Sequence, residues 1–129
     1  MILRKSMSLL GIGSAQIDLV LLKKTYRPDE YINGHFLIKG GTVEQQIKRI
    51  ECDLVMINHS TGLEQIIDTT IILTSRLIYS EESNKLPFTF KLPAFMPISS
   101  KEISYCFRTK LTFDEGVQSK DQDTIQIIQ

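Results

Sequence analysis

The chain has 129 residues, 42% of them hydrophobic and 23% charged, with fifteen basic and fifteen acidic side chains that cancel. That composition excludes a disordered polymer, and one folding unit of this length hides roughly two-thirds of its surface. Zero net charge leaves no overall field to steer it to nucleic acid or anionic lipid, so neither is expected as a partner.

At the N-terminus, Arg4 and Lys5 precede Met7, Leu9, Leu10 and Ile12, but Ser6, Ser8, Gly11 and Gly13 break the apolar run. Leu3, Met7 and Leu10 share helical spacing, so residues 1–14 read as a short amphipathic segment lying on the domain. No stretch has the length of a membrane span, and a few basic residues give no stable attachment, so a cytoplasmic location is expected.

Period-two alternation then recurs. Ile17, Leu19 and Leu21 share one strand face, with Val20 and Leu22 opposite. Tyr26-Arg27-Pro28-Asp29-Glu30 is a proline-set turn leading into a strand with Ile32, Gly34, Phe36 and Ile38 on one face. Lys39-Gly40-Gly41-Thr42 predicts a tight reversal using positive φ at glycine. Ile50, Cys52, Leu54 and Met56 alternate inward against Arg49, Glu51 and Asp53, and Asn58 to Gly62 is a turn cluster.

From Ile66 to Tyr79, β-branched residues predict one long strand with Ile67, Thr69, Ile71 and Leu73 on one face. Ser80 to Lys85 reads as a loop. Phe88, Phe90 and Leu92 form a strand bracketed by Pro87, Pro93 and Pro97, since proline cannot donate to a ladder. Ile103, Tyr105, Phe107, Leu111 and Phe113 alternate with Ser104, Cys106, Arg108, Lys110 and Thr112. Asp114-Glu115-Gly116 turns the chain, a polar loop through Ser119 to Asp121 follows, and Ile125 and Ile127 close it with a last strand. About seven strands without a long helix predict an all-β, two-sheet immunoglobulin-like sandwich spanning residues 1–129.

Candidate chemistry is sparse. Gly11-Ile12-Gly13 lacks the strand–helix context of a phosphate loop. His35 and His59 have no partner at metal-ligand spacing, and Cys52 and Cys106 read as small buried thiols rather than a disulfide or zinc pair. Glu81 and Glu82 read as solvated. Asp114 with Glu115, and Asp121 with Asp123, cluster oxygens as calcium sites do, but the ladder of an EF-hand is missing. No metal, cofactor or catalytic residue is therefore assigned, and the chain is expected not to be an enzyme. Arg108 and Lys110, with Arg49, are expected to pair with Glu51 and Asp53 across the sheet rather than form a basic recognition strip. Pro28, Glu30, Gly34, Pro87, Phe88, Pro93, Pro97 and Gly116 are assigned structural roles in turns and strands.

These motifs resemble the arrestin-like fold, and most closely the bacterial sporulation-control proteins (sporulation stage zero protein M). Tyr26, Pro28, Glu30, Ile32 and Gly34 match one family pattern, with Asp29 standing where glycine is usual. Leu86-Pro87-Phe88-Thr89-Phe90 with Pro93, Pro97 and Ser99, and Ile103 through Gly116 to Ile125, match others. Gly11 to Ala15 and Gly40 to Ile47 look particular to the sporulation group. Arrestin-like proteins usually carry two sandwiches, and this chain resembles the N-terminal one alone. The resemblance implies a non-enzymatic regulatory adaptor with protein partners of unknown identity. Exposed strand edges or end loops would serve as contact surfaces. A self-assembling sandwich, at least a dimer, is the second reading, with Val20, Leu22, Ile66 and Ile72 as candidate exposed surface. A small-ligand-binding domain is the third.

Overall fold

A computed structural model describes residues 13–116 and 118–129; the expected N-terminal amphipathic turn lies outside them. The strands are β1 (Gln16–Leu21), β2 (Thr25–Tyr26), β3 (Tyr31–Lys39), β4 (Gln45–Asn58), β5 (Leu63–Leu73), β6 (Leu77–Ile78), β7 (Ser83–Lys91), β8 (Ile103–Phe113) and β9 (Gln118–Ile127). They form a two-sheet β-sandwich. One sheet runs β1-β3-β7; the larger runs β2-β9-β8-β4-β5, with β6 also on β4. The larger sheet therefore extends sideways beyond the smaller one. Among the described residues no helix is long and apolar enough to cross a membrane.

Alternation decides the core. Ile32, Phe36 and Ile38 of β3, Ile50, Cys52 and Leu54 of β4, and Phe107 and Leu111 of β8 are all fully buried. Four phenylalanines stack at the centre: Phe88 meets Phe36 edge-on at 5.2 Å and Phe107 at 5.6 Å, while Phe90 meets Phe107 at 5.2 Å. Edge-to-face rings add about 1 kcal/mol per pair beyond their buried area. Both cysteines are free and buried, and burial pushes the Cys52 thiol up to about 12 and raises that of Cys106.

The Pro28 turn is built as its residues demand. Glu30 donates its backbone N–H to the Arg27 carbonyl at 3.2 Å, and Asp29 takes a φ of 70°, which a turn of this kind requires at its third position. Aspartate tolerates that conformation better than most residues, which is why it can replace glycine here. The Glu30 carboxylate accepts from the Arg27 N–H at 2.9 Å and pairs with Lys23. Gly34 admits the neighbouring strand, because a Cβ there would lie 2.2 Å from the Val20 carbonyl oxygen. Pro87 sits on β7, an edge strand, where its missing donor costs nothing.

Several local expectations are corrected. Gly40 and Gly41 do not adopt positive φ; they are needed for close approach, since a Cβ on Gly41 would fall 1.9 Å from the Gly13 carbonyl oxygen. The Thr42 N–H bonds that same carbonyl at 2.9 Å, and the Ala15 N–H bonds Gln45 Oε1 at 2.8 Å. Gly13 to Ala15 and Gly41 to Gln45 thus interlock. The long strand is interrupted at Thr74 to Arg76 to give β5 and β6, and it starts earlier, at Leu63. A bulge against β4 leaves Ile67 unopposed, with Leu54 facing Asp68 and Val55 facing Ile66. That extra residue reverses the parity, so Thr70 and Ile72 turn inward while Thr69, Ile71 and Leu73 turn out. Ser83 to Lys85 and Ser119 to Asp121, expected as loops, belong to β7 and β9.

Candidate functional site

The four edges of the two sheets are treated very differently, and that difference defines the site. At the β1 edge, side chains of β9 occupy the outward donors. Leu19 N–H donates to Asp121 Oδ2 at 2.9 Å, and Ile17 N–H to Ser119 Oγ at 3.3 Å. The edge of β7 carries the guards common on exposed strands, Lys85, Pro87 and Lys91, all exposed. The edge of β2 is two residues long. All three offer little to an incoming strand.

The β5 edge is open. It has eleven residues, pairs only with β4, and leaves Leu63 70%, Ile66 59%, Ile71 56% and Leu73 78% exposed. Its N-terminal half has the bulge and the charges of Glu64 and Asp68. From Thr69 to Leu73 the sequence is Thr-Thr-Ile-Ile-Leu, without charge, proline or bulge. Because the smaller sheet does not reach under it, even the inward Ile67 and Ile72 are only half-buried. Of the candidate apolar residues named from the sequence, Leu22 and Ile66 are exposed, while Val20 and Ile72 are half-buried.

The outer face of the larger sheet is charged. Glu51 forms an ion pair with Arg49 of the same strand at 2.7 Å and lies 3.5 Å from Lys110 across the sheet, the latter as expected. Arg108 departs from expectation: it reaches across β4 to a bidentate contact with Glu64, at 2.5 and 2.8 Å, while Asp53 accepts from the Thr69 hydroxyl at 2.8 Å. The Arg108 guanidinium holds the Glu64 carboxyl below its ordinary range. Cross-strand register alone predicted the Asp53 partner; the length of arginine allows the diagonal one. Lys110 faces Lys120 directly, so the open depression between β4, β8 and β9 holds mixed charge rather than a convergent pocket.

The seam that closes β1 also gathers carboxylates. One oxygen each from Asp18, Asp121 and Asp123 lies within 4.8 Å of the others. Asp123 is pushed up to about 7, chiefly by burial and then by contact with Asp121 and the charges of Asp121 and Asp18. Asp18 is raised by burial and by Asp121, with His35 opposing. Hard cations favour such oxygens, and the three carboxylates are where one would bind. The sequence paired Asp121 with Asp123 but missed Asp18, which lies about a hundred residues away and could be found only through the β1–β9 seam. Asp114 and Glu115 stay apart in their turn, and neither histidine joins the cluster: His59 Nε2 contacts Ser104 Oγ at 2.8 Å.

Among the motif residues, Pro93 accepts from the Asp29 N–H at 3.0 Å and Pro97 from the Tyr105 hydroxyl at 2.6 Å. Gly116 takes a φ of 85° in its turn, and Phe88 is in the core. The resemblance motifs therefore build the scaffold. The open edge lies outside them.

Fold and edges together define a two-sheet β-sandwich in which the β5 edge is left open. Residues 3–129 match the family described as SpoOM protein, and the chain belongs to that family. It is 31% identical over 121 residues to the sporulation-control protein Spo0M of Bacillus subtilis strain 168, covering 89% of this chain and 47% of the relative. It superposes on the crystal structure of Bacillus subtilis Spo0M with a TM-score of 0.81 at 28% identity, covering 92% of this chain and 51% of that one. The chain thus spans about half the length of the relatives it matches. A family 123 glycoside hydrolase from Clostridium perfringens, at TM-score 0.54 and 10% identity, shares only the fold.

Proposed function

We propose that this chain is a non-enzymatic module of sporulation control that acts by engaging protein partners along β5. Membership of the SpoOM family supports the regulatory setting. The mode of action rests on one observation: β5 is a long, unpaired, apolar edge, while the other edges are capped, charged or short. A backbone edge of this kind accepts a partner strand through main-chain hydrogen bonds, and alternate side chains supply selectivity. A core filled by phenylalanine and aliphatic side chains favours a rim-acting module over a pocket-bearing enzyme.

The test is genetic complementation in a spore-forming host lacking its own copy. A double variant, Ile71→Lys with Leu73→Lys, places charge on exposed positions without disturbing the core. It is expected to fold as the wild type does, by circular dichroism and thermal melting, yet fail to restore the wild-type sporulation frequency. Full complementation would refute the role of β5.

A further inference from the structure

We infer that the end of the sandwich bearing the 93–100 loop docks on an anionic lipid surface, with Phe95 as the side chain that enters it. This surface is separate from the β5 edge and does not rest on the reading above. Phe95 is 97% exposed, the most of any large apolar side chain among the described residues, although its neighbour Met96 is packed in the core. Its loop is tied down on both sides. The Pro93 carbonyl accepts from the Asp29 N–H at 3.0 Å, the Pro97 carbonyl from the Tyr105 hydroxyl at 2.6 Å, and the Ser99 N–H donates to the Ile127 carbonyl at 2.8 Å. With φ also fixed at the two prolines, Phe95 is presented to solvent by an anchored backbone. A large apolar ring kept in water by such a support marks a contact point rather than a loose end.

The rim around it carries apolar and basic groups together. Ile98 and Ile128, 47% and 37% exposed, are brought to the same end because Ser99 and Ile127 bond each other and the Ile128 N–H donates to the Tyr26 carbonyl. Lys23, Lys24, Arg27, Lys91 and Lys101 lie at this end against Asp29, Glu30 and Glu102, a positive excess that the zero net charge of the whole chain conceals. Asp29 and Glu30 already pair with Lys91 and Lys23. Lys24 stands near Asp123, whereas Arg27 and Lys101 take part in no ion pair among the described residues. Such a tip suits a bilayer better than a protein. It protrudes, and its backbone offers few donors, since Pro93 and Pro97 have no N–H and those of Ser99 and Ser100 are spent within the domain. A headgroup interface needs no matching socket; it takes an apolar tip and holds the flanking cations by charge. Neither signal suffices alone, so the contact is peripheral and reversible. β5 starts at this end, because Asn58 faces both Leu63 and Ile103, which leaves Thr69 to Leu73 standing clear of the surface.

The chain has no tryptophan, so Phe95→Trp places a single fluorescent reporter at the tip. On vesicles of phosphatidylcholine with about one-third phosphatidylglycerol its emission is expected to move to the blue, and on phosphatidylcholine alone to stay as in buffer. Co-sedimentation of the full chain with the mixed vesicles should show wild-type binding that falls as salt is raised. Phe95→Ser, and separately Arg27→Gln with Lys101→Gln, should each weaken it by about tenfold or more while leaving the circular-dichroism spectrum unchanged. The Ile71→Lys/Leu73→Lys variant should bind no more weakly than the wild type, so this inference and the role of β5 can fail independently. A wild type that ignores the mixed vesicles, an F95W emission that does not move on them, or binding that F95S leaves intact overturns the inference. If vesicles are ignored while F95S still lowers the sporulation frequency in complementation, the lipid surface falls and Phe95 is a contact for a protein.

Discussion

The seam between β1 and β9 and the edge of β5 are the same kind of object, the rim of a sheet, managed in opposite ways. At the seam, Asp121 and Ser119 spend their side chains on the backbone donors of β1, and three carboxylates crowd together as a result. At β5 the side away from β4 has no neighbouring strand, and from Thr69 to Leu73 the side chains are threonine, isoleucine and leucine. A protein can suppress strand addition by filling donors, by charge, or by shortening the strand. Among the described residues each device guards one rim, and the stretch from Thr70 to Leu73 of β5 has none of them. That omission is the basis on which β5 is proposed as the contact edge.

The comparison can be broken most forcefully from the seam side. Gly34→Ala drives a Cβ to within 2.2 Å of the Val20 carbonyl and must separate β1 from β3; a loss of about 3 kcal/mol or more is expected in urea unfolding. Asp121→Ala orphans the Leu19 N–H and should cost about 1–2 kcal/mol, whereas Asp121→Asn keeps an acceptor and should cost less.

The pH dependence sharpens the contrast. Asp123 has a folded pKa raised to about 7, and Asp18 is raised in the same direction. A raised carboxylate favours the fold in its protonated form. Its contribution is complete below the unfolded value near pH 4 and fades as pH climbs through about 7. Asp123→Asn should therefore flatten this slope and stabilise the protein at pH 8 by about 1 kcal/mol, after allowance for solvent screening, as read from melts at pH 5 and pH 8. The smallest effect belongs to the open edge. Ile71→Lys should change monomer stability by less than about 0.5 kcal/mol, because the position is exposed and gives up no packed contact. A large loss there would mean that β5 is already packed within the monomer.

Alternation made the scaffold legible: β3, β7 from Phe88 onward and the Tyr105, Phe107, Leu111 and Phe113 face of β8 follow the apolar pattern, although Cys106 and Thr112 on the other face of β8 are buried too. The reading failed where the pattern was two-sided. Along Ile66-Ile67 and Ile71-Ile72 apolar residues occupy both faces, and a bulge at Ile67, which no local signal announces, reverses every side chain beyond it. Ser119 to Asp121 looked like a loop because they are polar, yet they are polar in order to reach the donors of β1. Gly40 and Gly41 were recognisable as necessary, but their reason is contact with Tyr79 and Gly13 rather than turn geometry. Exposed strand edges were expected as contact surfaces only in kind; that β5 is the open one follows from sheet order together with the caps, charges and short length of the other three edges.

The caps on β1 have a temporal consequence. Leu19 and Asp121 are 102 residues apart, as are Ile17 and Ser119. During synthesis the first strand emerges with its donors bare and stays so until almost the whole sandwich has left the ribosome. Contacts of such long range form slowly and leave incomplete chains prone to stray pairing. The nascent molecule thus has two sticky rims, and completing β9 is the event that reduces them to one.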